Sequence, residues 1–332
     1  MSDIQKYKLK RKQIESLRIP PGSRKCLLKT LSRNVDERTK SGIWMVSETD
    51  TDWQENVHAD RWGELVSAPT HLPFEVSGDL MPWLTQVQVS KGMKVWYDYM
   101  ASLNTIVYID EDKSEYRLID YDSLYVATCP RCEEDLQCGI QKSTDGKEWI
   151  IPLNGFHIFE RVYHEPKSKF DIHIRRRVNN KMGIVKYVAT NNAMYENGEE
   201  SDHVVLEPGD KVQFGTVPCV MIEDEAHCKF DGGRMYRRAQ ARNIDLVYRG
   251  EELILPKGRI LIERIKDEVI RPSGIILLKE KVKIHRGTVV LSAIDGVEVG
   301  QTVTYPIKGG VPLEYKGTEH RVLRESQVLY IE

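Results

Sequence analysis

The stretch VEVGQTVTY at residues 297–305 decides the fold, because two related stretches occur earlier in the chain. They read VSKGMKVWY at 89–97 and LEPGDKVQF at 206–214. Each places a glycine where a tight turn needs a positive φ, and then continues into a strand with the alternation of a half-buried surface. Three occurrences in one chain indicate three divergent copies of a single unit.

Other segments recur in the same order around this stretch. A turn glycine followed by an apolar strand occurs at 61–66, 181–185 and 286–290, and an opening strand occurs at 26–29, 156–159 and 260–263. Two short strands close each copy. These positions predict a basic N-terminal tail or helix at 1–23, unit 1 at 24–128, a cysteine-containing linker at 129–153, unit 2 at 154–249 and unit 3 at 250–332.

The segments are short, rich in β-branched and aromatic residues, and separated by Gly, Asp-Gly and Asn-Gly turns. Such a pattern is typical of antiparallel strands, and helical periodicity is scarce after the first twenty residues. We therefore predict an all-β fold of three tandem small Greek-key barrels with a short N-terminal helix or tail. The N-terminus is either an amphipathic helix that docks on a partner or a solvated tail.

Composition limits the function. The 332 residues are 40% hydrophobic and 30% charged, with a net charge of -2, which is ordinary for a globular protein and unsuited to coating nucleic acid. The chain has neither the apolar run of a signal peptide nor that of a membrane span. Six cysteines are too few for a disulfide framework over this length. We expect a cytoplasmic protein with no membrane partner.

Unit 3 resembles a co-chaperonin of the GroES type across nearly its whole length. The matching segments are 262–264, SGIILL at 273–278, RGTVV at 286–290, VGQTVTY at 299–305 and the closing strands at 321–330. Unit 1 matches with insertions, and unit 2 matches in its strands. The resemblance implies Greek-key barrels that associate into a homo-oligomeric ring. It also implies a loop whose apolar tripeptide docks on an ATP-driven chaperonin.

Two segments fit that chaperonin-binding loop. They are Gly42, Ile43, Trp44 and Met45 in unit 1, and Gly274, Ile275, Ile276 and Leu277 in unit 3. Apolar side chains on a polar loop can order on a groove and gain free energy there. The alternative for 275–278 is an ordinary barrel strand. Unit 2 has FDIHIRRR at 170–177 instead, so it is either a spacer or a binder of something acidic.

Three functions therefore remain open. The first is a co-chaperonin-like protein that binds a chaperonin and assists folding. The second is a structural ring or scaffold protein, for example of a virus particle, that reuses the barrel. The third is a non-enzymatic adaptor. The Gly-apolar triplets of units 1 and 3 favour the first function, which is our leading hypothesis. The threefold copy number does not divide evenly into a sevenfold ring, and this mismatch favours the second function.

The chemistry-bearing residues are sparse. Cys129 and Cys132 form a C-x-x-C pair that, with Cys138, could hold a structural zinc ion. Since no second pair follows, we expect free thiols and no required cofactor, with zinc as the alternative. No nucleotide-binding or hydrolase motif is present, so we expect no enzymatic activity. Arg237 and Arg238 fit either phosphate binding or a solvated face, and the net charge favours the solvated face.

Overall fold

The computed structural model describes fifteen parts of the chain. They are residues 6–21, 23–30, 36–38, 44–46, 62–70, 72, 87–97, 101, 105–129, 141–163, 178–189, 204–215, 228–231, 234–265 and 284–332. Strands make up most of these residues, and the prediction of an all-β fold is confirmed. The expected N-terminal helix is also present, as α1 (Arg11–Glu15).

The strands are numbered in chain order. The first eleven are β1 (Lys6–Lys8), β2 (Lys25–Thr30), β3 (Asp36–Arg38), β4 (Trp44–Val46), β5 (Trp62–Ser67), β6 (Lys94–Tyr97), β7 (Val107–Ile109), β8 (Glu115–Asp120), β9 (Leu124–Cys129), β10 (Gln141–Lys142) and β11 (Trp149–Pro152). The next seven are β12 (Phe156–Tyr163), β13 (Val178–Tyr187), β14 (Lys211–Phe214), β15 (Cys228–Phe230), β16 (Arg234–Gln240), β17 (Ile244–Arg249) and β18 (Glu252–Ile254). The last six are β19 (Arg259–Ile265), β20 (Ile284–Ser292), β21 (Thr302–Pro306), β22 (Val311–Tyr315), β23 (Thr318–Arg324) and β24 (Tyr330–Ile331).

Three sheets share one strand order. The first contains β7-β8-β2-β5-β6-β9, the second β15-β16-β12-β13-β14-β17 and the third β22-β23-β19-β20-β21-β24. In each, the opening strand (β2, β12 or β19) lies in the middle, antiparallel to both neighbours. A 3-10 turn precedes each closing strand, at Tyr121–Ser123, Ala241–Asn243 and Glu325–Gln327. The common order supports three copies of one unit, whose boundaries and closure into barrels remain predictions.

The glycine of the recurring stretch has the backbone conformation that the sequence requires. The φ angles are 89° at Gly92, 97° at Gly209 and 93° at Gly300, a region that an L side chain rarely adopts. Each glycine amide donates a 2.8 Å hydrogen bond to the strand before it, at the carbonyls of Leu65, Val185 and Val289. The turn and its pairing are therefore the same in all three units.

The second recurring glycine is not a turn residue, which corrects our expectation. Gly63, Gly183 and Gly287 lie inside β5, β13 and β20, beside the opening strands. A Cβ there would stand 2.7–2.9 Å from the opening strand, at the nearest atoms Lys29 O, Phe159 Cβ and Ile262 Cδ1. Glycine is present because the two strands approach too closely for any side chain.

The opening strands are buried on both faces. Leu28, Phe159 and Ile262 each point into the core of their own unit and have no exposed surface. The residue before each, Leu27, Ile158 or Leu261, points to the other face and is equally buried. Each unit therefore needs something outside its own core to cover this second face.

The N-terminal segment folds back on unit 1. Ile14 of α1 has no exposed surface and packs with Leu27 and Tyr116. A solvated tail is therefore wrong for residues 6–21, and α1 docks on its own chain. No helix in the described part of the chain has the length and apolar character to cross a membrane.

Gly287→Ala should destabilise the protein by about 1–3 kcal/mol, because the new methyl group would press on Ile262 Cδ1 and the Glu263 carbonyl. Urea unfolding measures the loss. The double variant Gly287→Ala with Ile262→Val removes the nearest contact. It should lose less than the sum of the two single variants. Additive losses would contradict the close-approach explanation.

His157 should make stability depend on pH. Its ring is buried, and Nδ1 accepts a 3.1 Å hydrogen bond from the Ala189 amide, so the ring is neutral. Burial lowers the pKa of His157 from 6.5 to about 4. Because only the unfolded chain takes up this proton between those values, stability should fall by about 2–3 kcal/mol as pH drops from 6.5 to 4. His157→Gln should weaken that dependence, and an unchanged pH profile in the variant would contradict it.

Candidate functional site

The two predicted binding loops lie mostly outside the described residues. Trp44 and Met45 belong to β4, which pairs antiparallel with β3 in a separate two-stranded sheet. Gly42, Ile43 and the whole of Gly274, Ile275, Ile276 and Leu277 lie outside the described ranges. The first candidate therefore includes strand residues, and the second remains a prediction.

The strands that flank the two loops are equivalent. The unit 1 loop leaves after Thr30, which pairs with Gly63, and the unit 3 loop leaves after Ile265, which pairs with Arg286. In both units the loop joins the opening strand to the strand with the close-approach glycine. Both candidates therefore start from the same place in the sheet. The basic segment of unit 2 starts there too, between β12 and β13.

The cysteine cluster is only partly described. Cys129 ends β9 as a free, partly exposed thiol, whereas Cys132 and Cys138 lie outside the described ranges. Within those ranges, no three His, Cys, Asp or Glu side chains are grouped as metal ligands. A zinc ion shared by the three cysteines is untested by this observation and stays the alternative to free thiols.

The described residues converge instead at the two junctions between units. After β9, strand β11 adds to the edge of the first sheet, and a tight turn at Asn154 and Gly155 leads into the opening strand β12. After β17, strand β18 adds to the second sheet, and a turn at Gly258 leads into β19. The described part of the first linker contains the short strands β10 and β11, the second linker contains β18, and a turn precedes the opening strand in both.

The first junction is a continuous apolar interface. We call the side that a unit presents to the next unit its exit face, and the outer side of the opening strand and its neighbours the entry face. The exit face of unit 1 packs against the entry face of unit 2 in one cluster. Its members are Trp96, Tyr125, Val126 and Ile150 from the exit face and Ile158, Tyr187 and Tyr236 from the entry face.

The second junction repeats the first. The exit face of unit 2 packs against the entry face of unit 3, again in one cluster. Its exit-face members are Leu246, Tyr248, Leu253 and Leu255, and its entry-face members are Leu261, Val290, Leu313 and Val322. Leu246 pairs with Gln213 of β14, and Val126 pairs with Trp96 at the matching position of β6. Leu246 therefore corresponds to Val126.

A buried carboxylate fastens the first junction. Oδ1 of Asp231 accepts a 2.6 Å hydrogen bond from the Thr144 amide, and Oδ2 accepts bonds from Thr144 Oγ1 and the hydroxyls of Tyr187 and Tyr236 at 2.6–2.8 Å. Thr144 lies between β10 and β11, in the linker that extends the first sheet. Burial opposes ionisation, but the hydrogen bonds outweigh it and hold the pKa of Asp231 below its ordinary value.

A second buried carboxylate fastens the other junction. Oδ1 of Asp245 in β17 accepts hydrogen bonds from Arg259 Nε at 3.0 Å and from Arg324 Nε and Nη2 at 3.1 and 2.9 Å. Asp245 is 2% exposed. Removing its carboxylate would leave the arginines without their counterion, and removing the arginines would leave the buried carboxylate unpaired. A Cβ at Gly215 would overlap the Arg324 guanidinium, which explains the glycine there.

Arg237 and Arg238 are structural, and our expectation of a solvated face is wrong for these two residues. Arg237 and Arg238 are 4% and 6% exposed. The guanidinium of Arg238 lies 4.1 Å from the ring centre of Tyr125 and 4.8 Å from that of Phe156. A cation between two aromatic rings is favourable when it is desolvated. Arg238 therefore belongs to the first junction.

Sequence reasoning missed these junction residues. One signal was present for Asp245, which interrupts the apolar run IDLV at 244–247 and so needs a buried partner. Asp231 carried no such signal, because it stands in an Asp-Gly-Gly turn that any surface hairpin could contain. Its donors come from residues 144, 187 and 236, and only the fold brings these together.

A scan against protein-family models and a search of curated proteins gave no match to this chain. The resemblance to co-chaperonins therefore rests on the quoted sequence segments alone.

Asp231→Asn should destabilise the protein by about 2–3 kcal/mol, because an amide replaces a charged acceptor of several hydrogen bonds. The left-handed φ of 55° at this position tolerates asparagine. Because folding lowers the pKa of Asp231, its charge stabilises the folded protein at neutral pH. This contribution to stability is lost as pH falls through the folded-state pKa. Asp145→Asn, which changes an exposed carboxylate in the same linker that bonds only to nearby Ser143 and Lys147, is the control and should lower the urea midpoint by much less. Equal midpoints for both variants would contradict the role of Asp231.

Proposed function

We propose that this chain is a tandem co-chaperonin of the GroES type. It binds an ATP-driven chaperonin through the loops that contain Gly42–Met45 and Gly274–Leu277, and it helps to close a folding chamber. The protein is non-enzymatic and cytoplasmic, and the ATPase lies in the partner. It requires no cofactor.

One observation supports this proposal most strongly. Both loops connect the opening strand to the strand with the close-approach glycine, in sheets with the same strand order. Two loops at equivalent places on similar units can present similar side chains to equivalent sites of a symmetric partner. Such two-point binding raises the effective affinity without new contacts within either loop.

The junctions give the loops a defined spacing. Apolar clusters and buried carboxylates join unit 1 to unit 2 and unit 2 to unit 3, so the units cannot rotate freely. A fixed spacing lowers the entropy lost when the second loop binds. Copies of the chain associate in a homo-oligomeric ring in this proposal, with no membrane or nucleic acid as partner.

A structural ring or scaffold protein is the second candidate. The same rigid, head-to-tail junctions favour it, because a scaffold needs fixed geometry and no loop contact. Unit 2 also carries RRR at 175–177 where the other units carry an apolar triplet. The two candidates differ in whether the apolar loops bind a chaperonin.

Chaperonin binding tests the proposal directly. The protein is mixed with a purified sevenfold chaperonin and nucleotide, and complexes are sought by size-exclusion chromatography. Wild type should elute with the chaperonin. Ile43→Ser with Ile275→Ser should weaken binding by roughly tenfold or more per loop, since each buried isoleucine contributes about 1.5–3 kcal/mol.

Val299→Ser is the control, because Val299 is an exposed apolar residue in the turn between β20 and β21, at the opposite end of β20 from the unit 3 loop. It should bind as wild type does. The co-chaperonin proposal fails if wild type does not bind, or if the loop variant binds as well as the control. Ring formation without chaperonin binding would favour the scaffold.

A further inference from the structure

The entry face of unit 1 is apolar at the same strand positions as much of the entry face of unit 3. Leu27 pairs with Leu118 in the first sheet, and Leu261 pairs with Val322 in the third. Leu27 is therefore equivalent to Leu261, and Leu118 is equivalent to Val322. By the same pairings, Val66 corresponds to Val290 and Tyr108 to Leu313. Unit 1 therefore has an apolar entry face similar to the one with which unit 3 binds the exit face of unit 2.

The N-terminal segment covers the entry face of unit 1. Ile14 of α1, with Leu9, Leu17 and Ile19, packs on Leu27 and its neighbours in one cluster. These side chains occupy the place that Leu246, Tyr248, Leu253 and Leu255 occupy in the second junction. We call residues 6–16 the cap.

Besides the apolar cluster, the cap is held by short, local contacts at the edge of the first sheet. β1 pairs in parallel with the edge strand β7, and the Arg11 amide donates a 2.7 Å hydrogen bond to Glu111 Oε2. The helix α1 is five residues long, too short to be stable without the surface beneath it. A surface that binds the entry face can therefore replace the cap as one piece.

The exit face of unit 3 is open. Tyr330 pairs with Thr304, just as Val126 pairs with Trp96 and Leu246 pairs with Gln213. These three partners hold the same position in the recurring stretch, so Tyr330 is equivalent to Val126 and Leu246. Val126 and Leu246 have no exposed surface, whereas Tyr330 is 68% exposed. Its neighbour Leu329 is 46% exposed. Two apolar side chains thus stand uncovered where the other units bind their successor.

The segment just after the cap resembles a linker strand. Counting back from the equivalent residues Leu27, Ile158 and Leu261 places Ile19 level with Ile150 and Leu253. All three residues belong to the cluster that covers the entry face of the unit following them. Residues 17–20 therefore lie where a linker strand would lie. From this position such a strand could join the exit face of a second copy to the entry face of unit 1.

We infer that the cap is an intramolecular block on self-association, and that its competitor is the unit 3 exit face of a second copy. When the cap leaves, Tyr330 and Leu329 of one copy seat on Leu27, Leu118 and Tyr108 of the next. The contact is heterologous, so it builds chains or closed rings by repeating the internal junctions. This inference rests on the ring assembly in the proposed function, which it makes conditional on release of the cap, and it is independent of chaperonin binding.

Removing the cap tests the inference. A variant lacking residues 1–16 is compared with the full chain by size-exclusion chromatography with light scattering at equal concentrations. The full chain should be mostly monomeric, and the shortened chain should reach roughly twice that mass or more. Adding Tyr330→Asp to the shortened chain should return it to the monomer. A synthetic peptide of residues 6–16 should do the same in trans.

Ile14→Asp in the full chain keeps the experiment decisive if the shortened chain fails to fold. It weakens the cap without removing it and should also increase the mass. Adding Tyr330→Asp should reverse this increase. Circular dichroism verifies folding. The inference is wrong if neither cap variant associates, if Tyr330→Asp has no effect on their mass, or if the full chain associates equally well. Chaperonin binding is measured separately, so its loss alone would count only against the proposed function.

Discussion

The structure depends on burying each opening strand on both faces. Consecutive residues such as Leu27 and Leu28 point in opposite directions, and neither has exposed surface. Each side chain contributes about 1.5–3 kcal/mol when fully buried. A single unit can bury only one of the two inside its own core, so the other must find a cover elsewhere. The cap supplies that cover for unit 1, and the preceding unit supplies it for units 2 and 3.

This requirement explains why the two buried carboxylates at the junctions are so thoroughly hydrogen-bonded. A close apolar contact between units leaves no water for Asp231 or Asp245, and both would be costly if unpaired. Hydroxyl and amide donors satisfy the first, and two guanidinium groups satisfy the second. These bonds also fix direction, because apolar surfaces alone permit sliding. The junctions therefore combine non-directional burial with directional hydrogen bonds.

Much of the fold could be predicted from the sequence because the turn glycines are dictated by local chemistry. Gly92, Gly209 and Gly300 need a positive φ, and the alternation after each of them predicts a strand. The role of Gly287 was misjudged, since close approach between strands is a tertiary property. Asp231 was missed for the same reason, because its partners are distant in sequence. The loop candidates came from resemblance, and most of their residues lie outside the described ranges.

The one-sided cover of the opening strands has a consequence for synthesis on the ribosome. The element that covers each entry face always precedes it in the chain: the cap before β2, the exit face of unit 1 before β12, and that of unit 2 before β19. A growing chain exposes its N-terminal part first, and domains fold as they emerge. The opening strands of units 2 and 3 therefore meet a finished apolar surface as soon as they appear. Folding in this vectorial order keeps the exposed apolar area of the nascent chain small at every stage.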